Sequence, residues 1–265
     1  MSKIEIDDLV LTYKDTNKNR DFLALDHINL NIEEGEFVCI IGPSGCGKST
    51  LLSVLEGLNH ATSGEVRING KVIHGTGPER GVVFQHYSLF PWLSAKKNVS
   101  FGIKQVKKKM SAKEADEIAQ KYLVKVGLSE FVDKLPAQLS GGMQQRVASA
   151  RALAMDTEIL LMDEPFGAID AKNRLSLQEL VSQIYKSEKK TVVFVTHDVD
   201  EALLLADRII FMQPKRILKD IRVDFERPRE RDTLIQNPEY IRLRKQLLQF
   251  FYSNVAENIG EEVVI

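Results

Sequence analysis

Apolar and polar positions alternate over three short stretches near the N-terminus, residues 4–13, 28–32 and 65–68, each bounded by turn residues. Such alternation places one face of a strand on a core and the other in water, so it predicts an antiparallel β layer. Residues 37–41, FVCII, are apolar throughout and end at Gly42, the pattern of a strand buried on both faces. The same dense texture at 81–84, 159–162, 192–196 and 208–212 predicts further buried strands. Between 99 and 139 the texture changes to Lys, Glu, Ala, Gln and Leu at helical spacing, which predicts a mostly helical insert interrupting an α/β core. Residues 216–231 are charged, and Pro228 is expected to break any regular element there. After Asn237-Pro238, apolar residues at 241, 243, 247, 248, 251 and 255 fit one face of a helix over 239–255.

Composition narrows the class. The 265 residues are 43% hydrophobic and 28% charged, which excludes wholesale disorder. A formal net charge of -1, from 36 basic and 37 acidic side chains, supplies no field to recruit nucleic acid. The two cysteines, Cys39 and Cys46, lack metal-ligand spacing and suit a reducing cytosol. The acidic start MSKIEIDDLV is unlike a signal peptide, and no run approaches the roughly 18 apolar residues of a membrane-spanning helix. Any membrane connection is therefore expected to run through a partner. The cluster Lys104, Lys107, Lys108 and Lys109 reads as a solvated helix face or loop.

Residues 42–50 read GPSGCGKST, a glycine-rich loop between a buried strand and a predicted helix over 49–57. Glycines at 42, 45 and 47 let the backbone wrap closely and aim its amides inward, with Pro43, Ser44 and Cys46 completing the loop. The following helix adds its positive end; Lys48 supplies charge for the β- and γ-phosphates. The Ser49 hydroxyl suits Mg²⁺ and Thr50 can reach the α-phosphate. A purine triphosphate is the expected ligand, and the α/β core is expected to be a P-loop NTPase core with a mainly parallel sheet. A metal needs more than one ligand. ILLMDEP at 159–165 delivers Asp163 and Glu164 at the end of an apolar strand, one to orient Mg²⁺ and the other to polarise the attacking water. Gln85 and His197 end two further apolar runs; an amide there can ligate Mg²⁺ and an imidazole can bind the γ-phosphate. LSGGMQQR at 139–146 places two glycines ahead of a run of helix formers, a second preparation for an anion.

With GPSGCGKST, Gln85, LSGGMQQR, LMDEP, GAID and His197 in this order, the chain resembles the nucleotide-binding subunit of ABC transporters over roughly residues 4–215. The resemblance implies an ATPase that uses ATP and Mg²⁺, with Glu164, His197 and Lys48 as catalytic groups. It also implies a head-to-tail pairing with a second ATP-binding subunit, the same chain or a related one. Ser140, Gly141, Gly142 and Met143 would then grip ATP held by the partner, while Asp170 would contact the opposite subunit. Met143 stands where the commonest signature has Gln, and Ile169 where GAID more often has Leu. Tyr13 would stack on adenine; the alternative is a core aromatic on an edge strand. One domain is implied: residues 1–85 and 151–215 as the core with its β layer, 86–150 as a helical subdomain, and 216–265 as an extension ending in a helix.

The stretches VVFQHYSLFPWLSAKKNV, DEPFGAIDA and ERPRERD resemble importer ATPases of the nitrate, sulfonate and taurine group. That implies a separate membrane permease, contacted near residues 89–93, an extracytoplasmic substrate-binding protein, and a peripheral place on the cytoplasmic side of the membrane. Trp92 stands in that segment, where a partner interface or burial in the helical insert would suit it equally. The rival reading is a soluble ABC ATPase acting on nucleic acid or ribosomes, which usually carries tandem cassettes or a long coiled-coil insertion.

Overall fold

The alternating N-terminal stretches become two long strands, β1 (Ser2–Asp15) and β2 (Arg20–Glu33), paired antiparallel with Ile4 opposite Ile32 and Leu11 opposite Leu25. The computed structural model describes residues 2–15, 20–85, 87–188 and 190–261. They divide into two units, Met1–Gly75 with Val195–Ile265, and Thr76–Phe194. The first unit continues with β3 (Phe37–Ile41), α1 (Lys48–Glu56), β4 (Ser63–Ile68) and β5 (Lys71–Val72). The second holds β6 (Arg80–Val83), α2 (Ala95–Val106), α3 (Ala112–Lys125), α4 (Gly141–Ala154), β7 (Ile159–Asp163), α5 (Ala171–Glu188) and β8 (Thr191–Val195). The chain then returns to the first unit through α6 (Val199–Leu205), β9 (Arg208–Gln213), β10 (Arg216–Arg222), α7 (Arg231–Leu234) and α8 (Pro238–Glu261).

In the first unit an antiparallel layer runs in the order β2-β1-β4-β5. Tyr13 therefore lies on an inner strand, not on an edge. Separately, β9 pairs parallel with β3, Ile41 opposite Phe211, and antiparallel with β10. All five residues of β3 are buried, as its uninterrupted apolar run requires. Phe211 meets the edges of Phe250 and Phe251 at centroid distances of 5.4 and 5.0 Å, which docks α8 on β9.

Two expectations are corrected here. The charged stretch after 215 is not irregular at its start: β10 occupies it as an edge strand. Arg216, Lys219, Asp220 and Arg222 stand in water while β9 supplies the backbone partners. On α8, Leu243 and Leu247 are buried as predicted, but Ile241 is 55% exposed and Tyr240 turns inward instead. The predicted face included residue 255, whose side chain lies outside the described residues.

In the second unit β7 lies between β6 and β8, parallel to β6 with Met162 opposite Val83. Helices α2, α3 and α4 pack on one another through Val99, Ile103, Ala115, Ala119, Leu123, Val147 and Ala150, all buried. Their starts are written in the sequence. Ser94 caps α2, and Ser111 with Glu114 forms a reciprocal capping box on α3. No helix among the described residues is long and apolar enough to cross a membrane.

Candidate functional site

The glycine-rich loop leaves the buried β3 and enters α1. Gly42 has φ 154°, and a Cβ there would lie 2.3 Å from the Met212 carbonyl of β9, so only glycine lets the loop turn so close to the sheet. The β9–β10 turn supports it from behind. Lys215 N donates to Cys46 O at 3.0 Å, and Lys215 O accepts from Asp26 N of β2 at 2.9 Å. The turn's contribution was not legible in the sequence, because it works through backbone atoms.

Lys48 is buried and curls back over the loop. Its ammonium donates to Gly42 O at 2.8 Å and Pro43 O at 2.9 Å, and faces the Cys46 sulfur at 3.9 Å. An ammonium has three donors, and a thiol is a weak acceptor. Burial pushes the Cys46 thiol upward, against the opposing charge of Lys48, so it stays neutral. The third donor is thus held beside a group that an anionic oxygen would displace. At the start of α1, Gly47 provides no side-chain cap and the first turn holds no acidic residue. The positive helix end is left to an incoming anion. Ser44 and Gly45 are exposed on the loop, and Ser49 in the first turn of α1.

Two more predicted residues lie in this unit. Thr196 N donates to Ile40 O at 3.2 Å, which ties the His197 segment to the strand that ends at Gly42. Asp198 N donates to Thr196 Oγ1 at 3.0 Å, that hydroxyl donates to Glu201 at 2.8 Å, and Asp198 caps α6. His197 is exposed between these fixed neighbours. Tyr13 is 40% exposed, and its hydroxyl accepts from Asn59, just beyond α1, at 3.0 Å.

The second unit gathers the other set. Asp163 ends β7 and Gln85 follows β6 by two residues; because the strands are parallel neighbours, both leave the same sheet edge. Glu164 is half-buried and has φ 45°, left-handed for a residue with a side chain. Ser140 caps α4, its hydroxyl accepting from Met143 N at 3.3 Å, and the first turn of α4 has no acidic residue. A Cβ on Gly142 would lie 3.0 Å from Ala168 O, so the signature turn and the GAID segment are in close contact. Asp170 begins α5, accepting from Asn173 N at 3.1 Å and from Asn173 Nδ2 at 2.7 Å; those bonds hold its carboxyl below the usual range. Asn173 Oδ1 in turn accepts from Arg146 at 3.2 Å, a link between α4 and α5 that the sequence reading missed.

Trp92 is 72% exposed, which settles its placement: it is not buried in the helical insert. Its ring lies 5.7 Å from Phe90, which stands 4.8 Å from Phe101, itself 41% exposed. Asn98, fully buried, holds this loop. It accepts from Phe90 N at 2.8 Å and donates to Phe90 O, Leu93 O and Ser94 O within 3.2 Å. Nothing in the sequence pattern marked Asn98, a polar residue on the helix's inner face.

The family described as ABC transporter matches residues 25–167. An uncharacterised ABC transporter ATP-binding protein of Methanocaldococcus jannaschii is 47% identical over 97% of this chain and 94% of its own length. The nitrate import ATP-binding protein NrtD of Synechococcus elongatus is 45% identical over 89% of this chain and 88% of its own. The bicarbonate transport ATP-binding protein CmpD of Synechocystis is 46% identical over 89% and 85%. An ATP-binding cassette solved as a dimer in a post-hydrolysis state, bound to ADP and Pi, matches with a TM-score of 0.78 at 35% identity, over 84% of this chain and 100% of that one.

Proposed function

The chain belongs to the ABC transporter family of ATP-binding ATPases, and on that ground we propose that it powers an import system through a separate membrane permease. One observation carries the phosphate-binding half of the reading: the Lys48 ammonium, two donors fixed on loop carbonyls and the third facing a weak acceptor, beside an uncapped helix start. In this reading Gly42, Pro43, Ser44, Gly45, Cys46, Gly47 and Thr50 wrap the phosphates of ATP while Tyr13 stacks on the base.

Ser49, Gln85 and Asp163 would hold Mg²⁺; a hydroxyl, an amide and one carboxylate suit that ion, which takes its remaining ligands from phosphate and water. When bound, the metal neutralises charge developing on the transferred phosphoryl group. Glu164 takes the proton of the attacking water, and His197 donates to the γ-phosphate. Ser140, Gly141, Gly142 and Met143 serve ATP held by a second subunit, identical or related, and Asp170 contacts that subunit. The existence of a dimeric solved relative supports this arrangement.

Relatives named for nitrate import and bicarbonate transport support a small anion as cargo; a sulfonate or related precursor belongs to the wider class that the sequence resemblance implies. The Trp92 cluster is the surface offered to the permease, which keeps the chain peripheral on the cytoplasmic face and works with an extracytoplasmic binding protein. Nothing favours the nucleic-acid alternative. Titration calorimetry with ATP tests the cradle: Lys48→Ala is expected to weaken binding at least ~tenfold, the scale of one lost charged hydrogen bond. Unchanged affinity would overturn it. For the import half, the chain is expected to co-purify with a polytopic permease from solubilised membranes, and recovery with ribosomes or nucleic acid instead would refute it.

A further inference from the structure

We propose that the concavity enclosed by α6, α7 and α8 is a binding site for a small organic anion, one acidic head group on an apolar body. The hollow measures about 590 Å³, within the roughly 300–1000 Å³ typical of small-molecule sites. Its wall carries three cations, Arg231, Arg244 and Lys245, against one carboxylate, Asp200. That carboxylate is already engaged: it accepts from Tyr240 Oη at 2.5 Å and from Arg244 at 2.6 and 3.2 Å. Arg231 and Lys245 make no ion pair or side-chain hydrogen bond among the described residues, so a surplus of two positive charges faces the hollow.

Apart from Gln249 and the hydroxyls of Tyr240 and Tyr252, the rest of the lining is apolar. Ile235 is 48% exposed, Ile241 55% and Tyr252 71%, and all three line this one depression. Apolar side chains gathered on a surface lose contact with water only when something covers them. A bare inorganic anion would use the cations and leave these residues wet. An apolar solute would leave the charges unmatched. A carboxylate, sulfonate or phosphate on a short hydrocarbon body satisfies both.

Occupancy would be felt at the start of α6, next to His197. Asp200 lies in the first turn of that helix, Asp198 caps it by accepting from Asp200 N at 2.8 Å and Glu201 N at 3.1 Å, and His197 directly precedes the cap. An anion drawing Arg244 away from Asp200 would loosen the clamp that α8 places on this turn. That effect on turnover rests on the ATPase reading; the binding does not.

Calorimetric titration of the full chain, without nucleotide and at low salt, tests the site with hexane-1-sulfonate as probe and 1-hexanol and sodium sulfate as controls. The expected result is saturable one-site binding of the sulfonate, at least ~tenfold tighter than either control and weakened by added salt. In the double variant Arg231→Gln with Lys245→Gln, binding is expected to fall by ~tenfold or more while ATP affinity is unchanged. Failure of the sulfonate to saturate at millimolar concentration overturns the proposal, as does equal binding by 1-hexanol or by the double variant. If the double variant instead changes the sedimentation of the ligand-free chain, the surface is a contact between copies and the small-anion site is refuted. A chain that binds the sulfonate but never hydrolyses ATP would sink the ATPase reading alone.

Discussion

Glu164 stands at φ 45°, a conformation that costs a residue with a side chain about 1–3 kcal/mol and persists only where its surroundings impose it. Its neighbour Asp163 still belongs to β7. Adjacent strand residues point to opposite faces, so two carboxylates in a regular strand would diverge. The left-handed turn at Glu164 breaks that alternation, as the role proposed for the second carboxylate requires. Glu164→Gln keeps the shape and the backbone and removes only the basicity. It is expected to leave ATP affinity unchanged and to lower turnover by ~10²- to 10⁴-fold, the scale of general base catalysis. Steady-state hydrolysis near the parent rate would exclude Glu164 as the base. Candidate side chains around the cradle can be picked out in the sequence because phosphate chemistry leaves few choices. Ser140 and Asp170 show the limit of that reading: both are helix caps in this chain, whatever else they contact. Asn98 was invisible because a buried amide on a helix announces its partners only once the loop beside it is folded.

The loop over residues 88–94 is the element on which the import reading depends, and Asn98 holds it by its backbone. Trp92 projects from it, 72% exposed, so truncation removes little buried area within the chain. Trp92→Ala is therefore expected to change stability by less than about 1 kcal/mol while weakening permease docking at least ~tenfold, as loss of an interface aromatic does. A large fall in melting temperature would make Trp92 a packing residue; normal assembly would place the contact elsewhere.

A second tie joins three elements of the same unit. Asp156, just past α4, accepts from Lys107 beyond α2 and from Lys190 ahead of β8, both at 2.8 Å. Burial alone would raise its carboxyl, but the hydrogen bonds and charges of the two lysines outweigh it and hold it below the ordinary range. A depressed carboxylate stabilises the fold fully above its unfolded value, about pH 4, and less as pH falls through the folded value. Asp156→Asn fits the positive φ of this position and removes one ion-pair partner of the buried Lys190. A loss of about 1–2 kcal/mol at neutral pH is expected, less than for a fully buried pair because Asp156 is half-exposed. Urea titrations should show the gap between variant and parent closing below about pH 4; a gap that persists would refute the linkage. Elements were legible in proportion to burial. β3 was predicted to the residue, since an uninterrupted apolar run has one stable place in a sheet. β10 was missed because an edge strand can satisfy its backbone on one side and keep its charges in water.

Across the whole chain the predicted chemistry is divided: the first unit carries the cradle and His197, the second carries Gln85, Asp163, Glu164 and the 140–143 turn. The 140–143 turn opens a second helix start whose first turn holds no acidic residue, and a single triphosphate already has one in α1. Two chains sharing two nucleotides give each start an anion, and a formal net charge of -1 raises little barrier to self-association. Glu164→Gln, saturated with ATP and Mg²⁺, is expected to accumulate as a dimer, since closure proceeds and discharge does not. Sedimentation velocity should show the dimer with ATP and the monomer with ADP. Ser140→Arg supplies the discriminating control. Ser140 is exposed and caps α4, so its loss costs about 1 kcal/mol and leaves each chain folded and able to bind ATP in its own cradle. The arginine would fill the space intended for the partner's phosphate. Combined with Glu164→Gln, it is expected to abolish the ATP-dependent dimer without changing nucleotide affinity in the monomer. A dimer that survives the arginine would mean that the chains meet through another surface, and the 140–143 turn would lose its role in trans.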